Sequence, residues 1–174
     1  MGQRNLNING IEFSITSDKT SWGDGTHETT AFMLDAVSRY NVKDKTVLDI
    51  GTGSGVLSVL CSKLGARNVF AIDTNPNVLE FAKRNFLANG TMIFPILNDL
   101  TEGMNYKYDV VLANLERDVQ IRNVATVGHV LKDDGIFIMT WKNTDPFEQF
   151  VKGFEIIERV AGKEYDGYVL KKRD

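Results

Sequence analysis

Three glycines at alternate positions, Gly51, Gly53 and Gly55, follow the acidic Asp49 in the run V-L-D-I-G-T-G-S-G. A second acid, Asp73, lies about twenty residues further on. A glycine turn between a strand and a helix carries backbone N–H groups up to a ligand at the helix N-terminus. Glycine also lets a bulky ligand approach the backbone without a Cβ clash. A carboxylate at the distance of Asp73 accepts both hydroxyls of a ribose. Together these residues point to an adenosine-bearing ligand. The dinucleotide fingerprint is G-x-G-x-x-G/A, but here the spacing is G-x-G-x-G and Val56 stands in the place of the last small residue. The same residues also have a plain structural reading, in which the glycines join strand to helix and Asp73, Thr74 or Asn75 caps the helix opened by Pro76.

The elements that must position these groups follow from hydrophobic period. Residues 47–50 read as a buried strand and 54–64 as the helix after the glycines. A strand at 69–72 then leads to a helix opening at Pro76, a favoured first helical residue. Strands follow at 92–97 and 109–113, with helical spacing around 119–131. Gly135 is expected to start the strand I-F-I-M-T-W, and Pro146 to begin a short helix. The tail from Phe154 reads as two strands with no helix between them. Strand–helix alternation predicts a doubly wound α/β fold, a parallel sheet with helices on both faces, and the tail adds an antiparallel pair at one edge. Upstream, residues 6–15 alternate around Asn9-Gly10, which predicts a β-hairpin.

Bulk properties bound the function. The 174 residues are 43% hydrophobic and 25% charged, enough to bury roughly 70% of the unfolded surface in one core. Net charge is −3 and the pI about 5.4, with no basic footprint for nucleic acid. One cysteine, Cys61, excludes an internal disulfide and makes a reducing, cytoplasmic setting the expectation. Its place among Leu57, Leu60 and Leu64 suggests core packing. No apolar run reaches membrane-spanning length. No metal cluster is visible: the two histidines are His27 and His129, the latter expected at a core-facing helix end.

In an open parallel sheet ligands sit beyond the carboxyl ends of the strands. After the third strand comes Asn98-Asp99-Leu100, with Asp99 either facing a ligand or serving ordinary turn chemistry. After the fourth comes Asn114, in A-N-L-E-R-D, and after the fifth Trp141, a core aromatic or a substrate wall. Upstream stands W-G-D-G-T-H-E-T-T, residues 22–30, which alone reads as a glycine turn and helix cap with His27 at the helix start.

The glycine spacing with Asp49 resembles the cofactor loop of S-adenosylmethionine-dependent methyltransferases. Together with A-N-L and residues 22–30, it is similar to the ribosomal protein L-eleven methyltransferase family, whose members show F-G-T-G-T-H-x-T-T. Gly23, Gly25, Thr26, His27, Thr29 and Thr30 match; Trp22 replaces Phe, and Asp24 stands where Thr is usual. The resemblance implies a class I, Rossmann-like seven-stranded sheet. It also implies a single methyltransferase domain over 1–174, with 1–20 as a hairpin extension and 21–174 as the catalytic core. The expected cofactor set is Thr26, His27, Asp49, Gly51, Thr52, Gly53, Gly55, Asp73, Thr74, Asp99, Leu100 and Asn114. In this fold an acid at Asp99 typically meets the adenine amine, and Asn114 would also hold the acceptor nitrogen as the catalytic residue.

The implied activity is methyl transfer from S-adenosylmethionine, leaving S-adenosylhomocysteine, to an amine nitrogen of a protein or peptide, a ribosomal protein among the candidates. The family's N-terminal substrate domain has no counterpart in the residues before the loop, so a small-molecule acceptor, or a cofactor-binding partner subunit without catalysis, stands as the alternative. A nicotinamide oxidoreductase is disfavoured by the glycine spacing, and DNA by the lack of an N-P-P-Y-like stretch. Glu116 and His27 are the candidates for a general base.

Overall fold

A computed structural model describes residues 2–17, 26–99 and 104–173. The chain opens with the hairpin β1 (Gly2–Ile8) and β2 (Ile11–Ser17), paired antiparallel with Ile8 opposite Ile11. Asn9 (φ 50°) and Gly10 (φ 87°) both have positive φ, the two-residue turn that matches strand twist. Along β2, Phe13 and Ile15 point into the core. The rest of the strand's backbone is held by side chains: the amide of Asn89 pairs with Ser14 N and O, and that of Asn85 with Thr16 N and O.

After α1 (Glu28–Arg39) the chain alternates through β3 (Thr46–Ile50), α2 (Val56–Lys63), β4 (Asn68–Asp73), α3 (Pro76–Ala88), β5 (Phe94–Leu97), β6 (Tyr108–Ala113), α4 (Arg117–Val130) and β7 (Leu131–Lys142), and ends in β8 (Phe154–Val160) and β9 (Tyr165–Lys172). The seven-stranded sheet has the order β5-β4-β3-β6-β7-β9-β8. Five strands run parallel, and β9 lies antiparallel between β7 and β8. The expected sheet, its antiparallel tail and the N-terminal hairpin are therefore present.

Side chains alternate across this sheet and divide the core in two. Val47, Val110 and Ile138 pack under α1, α2 and α3 together with Phe13 and Ile15. Leu48, Val111, Phe137 and Met139 pack on the other face with Val124, Val127 and Val130 of α4. Every residue of β3 is buried, as expected for a central strand covered on both faces. Among the described residues, no helix is long and apolar enough to cross a membrane.

Three local expectations need correction. β7 starts at Leu131, before Gly135, because the strand pairs with β6 on both sides of a register shift: Leu131 faces Tyr108 and Ile136 faces Val110. Pro146 opens no helix. Phe150 N bonds to Phe147 O in a tight turn, and the six residues between Pro146 and Gly153 are too few to repay helix nucleation, so the segment instead buries Phe147 and Val151. His129 is exposed, since the buried face of α4 runs through Val124, Val127 and Val130.

Candidate active site

The sheet order reverses between β3, which continues to β4, and β6, which continues to β7. That is the topological switch point at which open α/β sheets bind ligands. A cleft of about 470 Å³ lies there, beyond the carboxyl ends of the strands.

One wall is the glycine loop. Gly51 has φ +66°, a conformation that favours glycine, and a Cβ built on it would come within 2.1 Å of Leu115 Cδ2 and push that side chain aside. Gly53 (φ 56°) also lines the cleft, and its N–H donates to Asp73 Oδ2 at 3.2 Å. Asp73 Oδ1 accepts the N–H of Asn75 at 3.0 Å, while the Asn75 side chain caps α3. Thus the capping role weighed for Asp73, Thr74 or Asn75 falls to Asn75, and Asp73 faces the cleft beside Thr74.

Asp49, Thr52 and Gly55 stand behind this wall rather than in it. Asp49 is 1% exposed. Its Oδ2 accepts the hydroxyls of Thr52 at 2.8 Å and Ser58 at 2.6 Å, tying β3, the loop and α2 together. Burial pushes the Asp49 carboxyl up, and the two hydroxyls pull against it. Gly55, with φ +82°, is the N-cap of α2 and packs against Phe86.

The opposite wall comes from α1, β6 and β7. Asn114, just past β6, lines the cleft with its amide held at both ends: Oδ1 accepts the hydroxyl of Thr140 at 2.9 Å, and Nδ2 donates to Thr30 Oγ1 at 3.4 Å. Thr30 and Thr140 are 2% and 3% exposed. His27 caps α1, with Nδ1 accepting from Thr29 N, and its ring meets Tyr165 edge-on at 5.7 Å. Thr26, next to His27, is exposed and is not among the lining residues. Asn98 and Asp99 line the floor. Leu100 and the loop residues Trp22, Gly23, Asp24 and Gly25 lie outside the described residues.

Glu28 secures this wall to the tail of the sheet. Its carboxylate accepts the backbone N–H groups of Lys163, Glu164 and Tyr165 at 2.9 to 3.0 Å. Those bonds, that of Glu164 foremost, hold the Glu28 carboxyl below its ordinary value. The turn between β8 and β9 is thereby docked on α1, and Tyr165 is brought to the cleft.

Several lining residues escaped the sequence reading: Thr140, Tyr165 and Asn123 above all. Thr140 had a usable signal, being a polar residue at the end of a parallel strand, but Trp141 beside it drew the assignment. Trp141 is 3% exposed and packs against Phe147 and Phe150. Asn123 is buried on α4, donates to Val119 O at 2.7 Å, and leaves Oδ1 without a partner among the described residues.

Comparison with known proteins agrees with this geometry. The family described as Ribosomal protein L11 methyltransferase (PrmA) matches residues 20–173. The ribosomal protein L11 methyltransferase of Caldicellulosiruptor bescii is 42% identical over 135 residues, which is 78% of this chain and 44% of that protein. Its counterpart in Caldicellulosiruptor saccharolyticus is 34% identical over 89% of this chain and 55% of its own. The chain thus spans about half the length of the curated relatives it matches. Among solved structures, the ribosomal protein L11 methylase of Lactobacillus delbrueckii subsp. bulgaricus superposes with a TM-score of 0.79 at 26% identity, covering 86% of this chain and 81% of that one. The 16S rRNA N2 G1207 methyltransferase of T. Thermophilus, solved with AdoMet and guanosine, reaches 0.85 at 19% identity over 99% of this chain and 50% of its own, a likeness of fold. On the match over residues 20–173, this chain belongs to the ribosomal protein L11 methyltransferase family.

Proposed function

We propose that this chain binds S-adenosylmethionine in the cleft and transfers its methyl group to an amine nitrogen of a protein, with a ribosomal protein as the first candidate acceptor. The hairpin and the sheet, which share one core through Phe13 and Ile15, act in this reading as a single catalytic unit. The observation that carries the proposal is the amide of Asn114, held by Thr30 and Thr140 at the rim of a cleft walled by Gly51, Gly53 and Asp73.

The residues present fit the cofactor. The cleft lies within the range of roughly 300–1,000 Å³ usual for ligand sites. Gly51 leaves the backbone bare at its wall, Asp73 offers a carboxylate to a ribose, and Asn123 Oδ1 is a buried acceptor with no partner among the described residues. When bound, the sulfonium cofactor supplies an activated methyl group. What this chain supplies is alignment. Holding acceptor and donor in line is worth roughly 7–11 kcal/mol of barrier.

Asn114 Oδ1 accepts one bond from Thr140 and, as an sp² oxygen, has a second lone pair for an N–H of the acceptor. A nitrogen held by that N–H presents its lone pair away from the amide and toward the cleft. The acceptor must first be neutral, and its proton leaves to water.

The test is incorporation of labelled methyl from S-adenosylmethionine into a cell extract resolved by size. Label in a protein band, lost on Asn114→Ala, is expected. Label confined to the small-molecule fraction would transfer the reading to a small acceptor, and no label despite cofactor binding would make the chain a binding subunit.

A further inference from the structure

A second cavity, of about 480 Å³, adjoins the cleft and shares Leu115, Glu116, Thr140 and Tyr165 with it. We propose that this cavity is the acceptor port, and that Glu116 and Gln120 make it selective for a primary alkylammonium such as a lysine side chain. The proposal rests on the amine-transfer reading given above and adds the route and the selectivity.

Three observations support it. First, the shared residues include Thr140, the partner of Asn114, so the port opens where the acceptor nitrogen has to arrive. Second, Glu116 is the N-cap of α4 but makes no side-chain capping bond, and among the described residues its carboxylate has no hydrogen bond or ion pair. The other acids of the cavity, Asp118 and Asp145, are both paired with Arg117 at 3.0 and 2.9 Å. Three carboxylates against the two cations Arg117 and Lys142 leave the port negative, with Glu116 as its uncommitted charge. Third, Gln120 is 1% exposed, donates to Ala113 O at 3.4 Å, and keeps Oε1 without a partner among the described residues. A buried orphan acceptor is costly unless something completes it.

An acceptor-rich port walled by Leu115 and Trp141 suits a chain of methylenes ending in N–H donors. After the ammonium releases one proton to solvent, its lone pair forms the new N–C bond as the S–C bond breaks, and that electron pair stays on sulfur as a thioether. Positive charge therefore moves from sulfur to nitrogen, and the carboxylate of Glu116 is placed to stabilise the charge arriving there.

The test reads binding without turnover. The chain carries two tryptophans, so the Trp22→Phe variant labelled with fluorotryptophan reports on Trp141 alone by fluorine NMR. Saturated with S-adenosylhomocysteine, it is titrated with Nα-acetyl-lysine methylamide and with the norleucine analogue, which lacks the ammonium. Lysine amide should shift the resonance saturably, and norleucine amide should bind about tenfold more weakly or worse. Glu116→Gln should weaken lysine amide by about tenfold and leave norleucine amide unchanged, and Gln120→Met should act in the same direction. Equal binding of the two amides, or wild-type lysine binding in Glu116→Gln, overturns the proposal. Protein amine methylation that survives Glu116→Gln with unchanged KM also overturns it while sparing the amine-transfer reading. Selective lysine binding without methylation of any protein would spare the port and overturn that reading instead.

Discussion

Thr140 donates its hydroxyl proton to Asn114 Oδ1 across 2.9 Å, so β7 sets the tilt of the amide that β6 delivers to the cleft. Under the proposed role of Asn114, this bond ties the orientation of the acceptor nitrogen to a residue that need not touch it. Replacing Thr140 by Val keeps the shape and removes the donor. The expected result is a fall in kcat of about three- to tenfold, the worth of one neutral hydrogen bond, with cofactor affinity unchanged and most of the rate restored in Thr140→Ser. A loss confined to cofactor binding would place Thr140 on the donor side of the reaction instead.

Asp73 closes the glycine loop through Gly53 N and faces the cleft. Asp73→Ala should weaken S-adenosylmethionine binding by about 1–3 kcal/mol, as expected for a lost charged hydrogen-bond partner. Calorimetry measures this directly, and an unchanged Kd rejects the ribose role.

Glu28 holds the turn between β8 and β9 by three backbone N–H groups, which lower its pKa below the ordinary 4.5. A carboxyl with a lowered native pKa stabilises the fold above its unfolded value, and that contribution is lost as pH falls through the native value. The amide resonances of Lys163, Glu164 and Tyr165 should therefore titrate together with a midpoint below 4.5, and Glu28→Gln should abolish the titration. Three unrelated midpoints would show that the turn is held by other contacts.

Asp49 behaves in the opposite sense. Burial raises its carboxyl above the ordinary 3.8, against the Ser58 and Thr52 hydroxyls. A carboxyl whose native pKa is raised contributes stability at low pH that is lost as pH rises through the native value. Asp49→Asn carries no such loss, so its deficit relative to the parent chain should shrink as pH rises above the ordinary 3.8 in urea unfolding. A deficit that widens with pH contradicts the assignment.

The backbone of this molecule was legible because its signals are local. Asn9-Gly10, the alternation along β2, Pro76 at the head of α3 and the glycine run after β3 each act over a few residues. The partners of the Asn114 amide act over distance: Thr30 and Thr140 lie 84 and 26 residues from Asn114 in the chain. Their juxtaposition comes from strand order, which period and propensity leave open. Gln120 and Asn123 were missed because polar residues inside a helical pattern read as a solvated face, whereas both are buried on α4. By its place before the glycines Asp49 reads as a neighbour of the ligand, and its burial puts it one layer behind them.

The most direct test is mass spectrometry of purified ribosomal protein L11 incubated with this chain and S-adenosylmethionine, with cofactor affinity measured in parallel. Methyl groups on amine nitrogens of the acceptor are expected with the parent chain, and none with Asn114→Ala although that variant binds the cofactor normally. Methylation that persists undiminished in Asn114→Ala would contradict the proposed role of Asn114.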